Sequence, residues 1–224
     1  MEILLVRHGE SEGNTEEVDP QKNGDYRLNL TDKGKTQAED EGIKIGADFI
    51  RNALIYRSPY YRTRQTLDGI IKGAGIQSRD ELVIYEDPRL REVEHGFHGS
   101  AKDVQSQRDS LRKIHGKFYY RYKGGESPAD CFDRVATFLE SMQRQMERKE
   151  KDKVLIISHG LTIRCFIMRF LHLTVEEFDS MGNPYNCAQV RIAHIEDIKE
   201  ERRLFSTRTW AVERYRSPKT PDCY

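Results

Sequence analysis

The sequence has no apolar run close to the roughly 20 residues that a membrane-spanning helix needs. Its amino-terminal run, Ile3 to Val6, is far shorter than the hydrophobic region of a secretory leader, so the expected location is the cytoplasm. Surplus charge is absent as well. The 37 basic residues meet 37 acidic ones, and a chain without a net field lacks the global attraction that nucleic-acid and anionic-membrane binders use. Any attraction for an anion has to be built locally. Cysteine is sparse, and Cys131, Cys165, Cys187 and Cys223 have no paired spacing of the zinc or redox kind, so they read as reduced thiols. Internal repeats and low-complexity tracts are missing too. What remains is a chain of 224 residues, long enough to bury a full core in one α/β domain.

Within that length, short apolar runs of strand character end repeatedly in polar residues. Ile3 to Val6 leads into Arg7-His8-Gly9-Glu10-Ser11-Glu12-Gly13-Asn14, Ala53 to Tyr56 into Ser58-Pro59-Tyr60-Tyr61-Arg62, and Val154 to Ile157 into Ser158-His159-Gly160. Gly9 lets the chain turn sharply, leaving Arg7 and His8 at a strand tip. The always-charged Arg7 needs an anion or water, which makes the adjacent imidazole a poor structural histidine. Ser58 and Pro59 have the chemistry of an N-cap and a first helical residue. That would set Arg62 one turn into a helix, tilted back toward the unpaired amides of its amino terminus. In a parallel sheet with right-handed crossovers, strand carboxyl ends share one edge. Arg7, His8, Arg62, His159, Asn14 and Ser58 then converge as a concave donor set sized for one phosphoryl group.

The rest of the chain supplies the frame. Residues 15–30, with Pro20 and Gly24, read as a loop over the first strand tip. Thr31 caps a helix whose apolar positions Ala38, Ile43, Ala47 and Ile50 carry it to about residue 51. A third strand, Leu82 to Tyr85, leads through Pro88 into Leu90-Arg91-Glu92-Val93-Glu94-His95-Gly96-Phe97-His98. His95 and His98 are spaced like metal ligands on one turn, but no cysteine or carboxylate set completes a site, and they read as loop residues. Residues 100–122 suggest a charged, solvated helix or helical hairpin, with Arg108, Arg112 and Lys117 as candidates to meet the remote end of a substrate.

Ser127 and Pro128 open a helix with Phe132, Val135, Phe138, Leu139 and Met142 as one core stripe. Leu161 to Leu171 reads as a buried helix, Thr174 to Glu177 as a capping box, and Ala188 to Ile195 as a strand. The expected division is a domain over residues 1–196. Residues 197–224 form an extension that adds an edge strand near Leu204 to Val212 and a loose end packed on the same domain.

Arg7-His8-Gly9-Glu10-Ser11 followed by Asn14 resembles the signature of the histidine phosphatase superfamily, the phosphoglycerate-mutase-like proteins. Leu30-Thr31 with Gly34 and Gln37-Ala38, Ser58-Pro59 with Arg62 and Gln65-Thr66, Leu90-Arg91-Glu92, and His159-Gly160 continue the resemblance in order over about residues 1–195. Tyr119 to Tyr122, Glu126-Ser127, Asp133-Arg134-Val135 and Phe138-Leu139 are similar to the plant and fungal branch of those proteins.

The resemblance implies a three-layer αβα sandwich around a mostly parallel sheet. It implies that His8 accepts the phosphoryl group, that Arg7, Arg62 and His159 hold its oxygens, and that Asn14, Ser58 and Gly160 border it. Glu92, aligned through the preceding Leu-Arg pair, would protonate the leaving oxygen and later deprotonate water. Glu94, two residues on, is its rival. No cofactor or metal is implied, because arginines supply the charge that magnesium supplies elsewhere. The implied partner is a small phosphorylated metabolite or a phosphoprotein, with neither nucleic acid nor membrane.

Where the family's mutases carry a tryptophan before the motif asparagine, this chain has Gly13, and Gly24 to Asn29 replaces their Gly-Trp segment. The expectation is therefore a phosphomonoester hydrolase of the histidine acid phosphatase type. The alternatives are mutase-type phosphoryl transfer and a pseudo-phosphatase that binds phosphorylated ligands.

Overall fold

Burial on both faces marks a central strand, and the apolar runs have it. In β1 (Glu2–Arg7) and β4 (Lys153–Ser158) every residue after the first is buried. The computed structural model describes residues 1–15, 24–96 and 102–213, except for the side chains of residues 102–108. With β2 (Ala53–Arg57), β3 (Val83–Glu86), β5 (Gln189–His194), β6 (Arg203–Ser206) and β7 (Trp210–Glu213), these strands form one sheet ordered β3-β2-β4-β1-β5-β7-β6. The first four in that order run parallel, and β5, β7 and β6 are added antiparallel.

Alternate side chains serve opposite layers, as the period of two in a strand requires. Ile3, Leu5, Leu54, Tyr56, Val154 and Ile156 share a core with Phe138 of α5 (Pro128–Lys149) and Phe166 of α6 (Gly160–Leu171). Leu4, Val6, Ile55, Leu155 and Ile157 face Ile50 of α2 (Ala47–Asn52) and Leu67 and Ile70 of α3 (Tyr61–Gly73). The architecture is the αβα sandwich expected from the sequence. The remaining helices are α1 (Asp32–Ile45), α4 (Lys102–His115) and α7 (Val175–Ser180). Among the described residues no helix is long and apolar enough to cross a membrane.

Local departures from the sequence reading have local causes. The helix expected to reach residue 51 divides at Gly46, whose φ of 80° lies in the left-handed region open to glycine, giving α1 and α2. The single edge strand expected near Leu204 to Val212 is a hairpin: β7 pairs with β5, and β6 lies outside it. Cys131, Cys165 and Cys187 are buried free thiols, while Cys223 lies outside the described residues.

One buried charge in α1 gives a stability prediction. Glu41 has a side chain 4% exposed, one oxygen bound by Lys44 Nζ at 2.9 Å, and the other buried without a partner among the described residues. Burial raises its pKa above the ordinary 4.5. The folded state therefore holds the proton more tightly, and stability falls as pH rises from 4.5 through the folded value. Glu41→Gln should raise the melting midpoint at neutral pH by about 2–4 °C, the equivalent of about 1 kcal/mol, with no gain below pH 4.5. Thermal melts at the two pH values check this, and an equal gain at both would count against it.

Candidate active site

The register of the sheet brings three strand tips together. Arg7 pairs with Ser158, His8 N donates to Ser158 O at 3.0 Å, and Ser58 N donates to Ile157 O at 3.0 Å. Beyond β1 the chain passes so close to α1 that a Cβ on Gly9 would lie 2.5 Å from Gly34 O. A Cβ on Gly34 would lie 2.0 Å from Glu10 O, so both positions need glycine. Side chains of α1 and α3 then pin the loops. Glu10 N donates to Gln37 Oε1 at 2.9 Å, Leu30 N to Gln65 Oε1 at 2.7 Å, and Gly9 N to Thr66 Oγ1 at 3.0 Å.

His8 is 3% exposed, and its Nδ1 lies 2.7 Å from Gly9 O. A carbonyl can only accept, so Nδ1 carries the proton and Nε2 keeps the lone pair. Burial first, then the Arg62 and Arg7 guanidinium groups, hold the pKa of His8 well below 6.5. A neutral imidazole with a free Nε2 is the form a nucleophile needs.

His159 is fully buried, with its ring centroid 5.2 Å from that of His8 and 5.0 Å from that of Tyr60. Its Nε2 shares a 2.8 Å hydrogen bond with Ser58 Oγ. Its Nδ1 has no partner among the described residues. Burial, Arg62 and His8 hold its pKa down as well.

Ser58 is not the N-cap expected from Ser-Pro. The helix starts two residues later, with Tyr60 in the cap position, because the Ser58 hydroxyl is engaged by His159. It also accepts from Tyr60 N at 3.3 Å. Thr63 Oγ1 closes the first turn onto Ser58 O and Tyr60 O instead. Arg62 is thus the second helical residue, its guanidinium 4.9 Å from the Tyr60 ring centroid. Arg64 is a surface residue paired with Glu86 at 2.8 Å.

Arg62 already faces a carboxylate. Its Nη1 donates to Asp25 Oδ1 at 3.0 Å and to Asp25 O at 2.6 Å, and its Nη2 donates to Asp25 Oδ2 at 3.1 Å. Asp25 comes from the loop over the first strand tip, within the short 3-10 turn Asp25–Arg27. Arg7 is 9% exposed; its Nη1 donates to Pro184 O at 2.8 Å, and its Nε is buried with no acceptor among the described residues. Asn14 is exposed, and its oxygen accepts from Ser11 N, Ser11 Oγ and Asn186 Nδ2. That leaves its amide nitrogen to meet a ligand. Gly160 opens α6 against Asn183, where an added Cβ would come within 3.0 Å of the carboxamide carbon.

The two candidate acids differ sharply in setting. Glu92 lines a cavity of about 80 Å³ together with Asn183 and Leu161, accepts from Val93 N at 2.9 Å, and has its pKa raised, chiefly by burial. Glu94 is exposed, with its backbone oxygen accepting from Glu126 N at 2.8 Å. Glu126 also pairs with Arg91 and, at 3.2 Å, with Arg134, tying the segment that carries Glu92 to α5. His95 packs edge-on against Tyr122 at 4.8 Å, and His98 lies outside the described residues.

Sequence reasoning missed Asp25, the Pro184 carbonyl, and the Glu126–Arg134 tie. Asp25 and Pro184 act on residues distant in the chain, and Glu126 and Arg134 were visible only through their likeness to the plant and fungal branch. Gln37, Gln65 and Thr66 were visible only as letters in a resemblance; their hydrogen bonds give them a task.

Residues 3–207 match the histidine phosphatase superfamily (branch 1). The chain is 36% identical over 207 residues to the phosphoglycerate mutase-like protein AT74 of Arabidopsis thaliana, covering 86% of this chain and 64% of that protein. It therefore spans under two thirds of that relative. It is 26% identical to the broad-range acid phosphatase DET1 of Saccharomyces cerevisiae, covering 82% of each. A mycobacterial glucosyl-3-phosphoglycerate phosphatase solved with VO3 superposes with a TM-score of 0.72 at 20% identity, covering 96% of this chain and 98% of that one, a likeness of fold alone. With the motif histidines, both arginines and the αβα sheet in place, the chain belongs to the histidine phosphatase superfamily, on the plant and fungal phosphoglycerate-mutase-like side.

Proposed function

We propose that the protein is a metal-independent phosphomonoesterase that works through a phosphohistidine on His8. The observation that carries this reading is a buried donor set, Arg7, Arg62, His8 and His159, whose arginines have Asp25 as their one ion-paired carboxylate among the described residues. Buried donors of this charge call for a bound anion.

In the first step His8 Nε2 attacks phosphorus in line, and the bond to the leaving oxygen breaks as Glu92 gives that oxygen its proton. Arg7, Arg62 and His159 hold the equatorial oxygens, and Asn14, Ser58 and Gly160 border them. In the second step the Glu92 carboxylate takes a proton from water, the water oxygen bonds to phosphorus, and His8 leaves with its lone pair restored. Phosphate is released.

Hydrolysis is favoured over transfer between hydroxyls by the segment around Asp25. It stands where mutases of the family carry a Gly-Trp segment, and its carboxylate is 36% exposed at the site. In bulk water of roughly 55 M, an acceptor hydroxyl wins only if solvent is excluded and the acceptor is positioned, an advantage that can reach about 10⁵ M or more. Incubation with 3-phosphoglycerate and with p-nitrophenyl phosphate, measuring free phosphate and 2-phosphoglycerate together, tests this. Phosphate without isomer is expected; isomer formed much faster than phosphate would make the protein a mutase.

The Asp25 contact gives a further expected result. A phosphoryl dianion must displace this carboxylate to reach Arg62, so Asp25→Asn should tighten competitive inhibition by inorganic phosphate. The expected gain is about tenfold, on the scale of one hydrogen bond to a charged group. Weaker inhibition in Asp25→Asn would mean that Asp25 orients Arg62 for the ligand instead of competing with it.

A further inference from the structure

Resting on that phosphatase reading, we infer that Thr162 is a positioning residue for Glu92, holding its carboxyl at a fixed reach from the phosphoryl site. Arg91 and Glu92 follow the short turn Pro88–Leu90 and belong to no strand or helix, so no ladder of backbone bonds sets where the carboxyl lies. Two buried hydroxyls set it from outside. Ser158 Oγ, at the tip of β4, donates to Leu90 O at 2.9 Å, and Thr162 Oγ1, in the first turn of α6, donates to Arg91 O at 2.8 Å. The two carbonyls before Glu92 are thereby tied to residues on either side of His159. The segment that carries one phosphate-holding group also anchors the acid, and the spacing between the two is fixed.

Thr162 reaches the carboxyl itself as well. Its Oγ1 lies 3.4 Å from Glu92 Oε1, the oxygen that accepts from Val93 N at 2.9 Å. Cys131 Sγ, on α5, donates weakly to the same hydroxyl at 3.9 Å, which leaves the hydroxyl proton to the side of Arg91 and Glu92. An oxygen that already accepts an amide proton is not the one that carries the acid's own, so Oε2 is the atom that protonates the leaving oxygen. Thr162 is 1% exposed, and bulk water does not replace its hydroxyl. A bond that only stabilised the fold would affect every substrate alike. A bond that aims the acid affects those that need a proton.

Thr162→Val keeps the shape and removes the hydroxyl. Turnover of glycerol 3-phosphate and of p-nitrophenyl phosphate reads the consequence, because the alkoxide of the first needs the proton of Glu92 and the phenolate of the second leaves without it. The alkyl-to-aryl ratio of kcat should fall about tenfold in Thr162→Val, within the roughly 10²-fold that a displacement of about 1 Å can cost. Thr162→Ser, which keeps the hydroxyl, should return the ratio to within about threefold of wild type. In a Glu92→Gln background Thr162→Val should lower the ratio no further, as a residue that acts through Glu92 must. Equal losses on the two esters, or an undiminished effect in the Glu92→Gln background, would overturn the assignment. Should Thr162→Val not fold, Thr162→Ala is read by the same ratio, and loss of the fold in both would make the residue structural and overturn the assignment too. Folded wild type that hydrolyses neither ester would overturn the phosphatase reading itself, and hydrolysis of the aryl ester alone would take the acid, and its positioning residue, out of the mechanism.

Discussion

Replacing His8 with alanine is expected to lower kcat by about 10⁴-fold or more, since removing the proposed covalent nucleophile would leave only binding and electrostatic stabilisation to act on a water attack. No neighbour is placed to substitute for it. His159 shares its Nε2 with Ser58, and its buried ring packs edge-on against Tyr60. The fold should survive the change. Among the described residues the His8 side chain makes one hydrogen bond, to the carbonyl of the next residue, and lies beside two guanidinium groups that already disfavour its protonation. Thermal melts and activity on p-nitrophenyl phosphate check both halves of the expectation. A His8→Ala protein that is folded and retains a tenth of wild-type activity would remove His8 from the chemistry.

The next largest effect belongs to Glu92. Glu92→Gln should cost about 10²- to 10⁴-fold on alkyl phosphates, whose alkoxide needs a proton, and far less on an aryl phosphate, whose phenolate leaves unaided. Its pH dependence follows from the two displaced ionisations. In the proposed mechanism His8 has to be neutral, and its pKa lies well below 6.5, so kcat/KM should rise as pH increases through that lowered value. As the proposed acid, Glu92 has to be protonated, and its pKa lies above 4.5, so kcat/KM should fall as pH increases through that raised value. The profile on an alkyl phosphate is therefore a bell, and Glu92→Gln should erase its alkaline limb. Glu94→Gln, on an exposed side chain, should leave the profile within about threefold of wild type. Equal losses on alkyl and aryl esters in Glu92→Gln, or loss of the alkaline limb in Glu94→Gln, would transfer the role of acid.

The parts of the fold visible in the sequence are those with a repeating physical pattern. Continuous apolar runs in β1 and β4 announced strands covered on both faces, and the Ser127–Pro128 and Thr174–Glu177 patterns became capped helices with both capping boxes formed. Convergence of Arg7, His8, Ser58 and His159 followed from parallel strands whose carboxyl ends share one edge. What sequence could not give was competition between partners. Ser58 has the chemistry of a helix cap, yet in the fold its hydroxyl bonds a histidine 101 residues away, and the helix starts later. Asp25 reads as one loop carboxylate among many until the fold lays it on Arg62. Gly46 sits in a helical pattern, and only its backbone angle reveals the break. In each case the deciding interaction is long-range or depends on a dihedral angle that side-chain periodicity does not encode.

The hydrophobic and electrostatic construction of the site ends at one atom, His8 Nε2, and the most direct test asks whether that atom carries phosphorus during turnover. Wild-type protein mixed with a phosphate-labelled ester, quenched within milliseconds and digested, should yield label on the peptide containing His8. The bond should be stable in alkali and labile in acid, as a phosphoramidate is. His8→Ala should yield none. Label on a serine or a carboxylate, or turnover with no trapped label under conditions where breakdown of the intermediate limits the rate, would contradict a phosphohistidine mechanism.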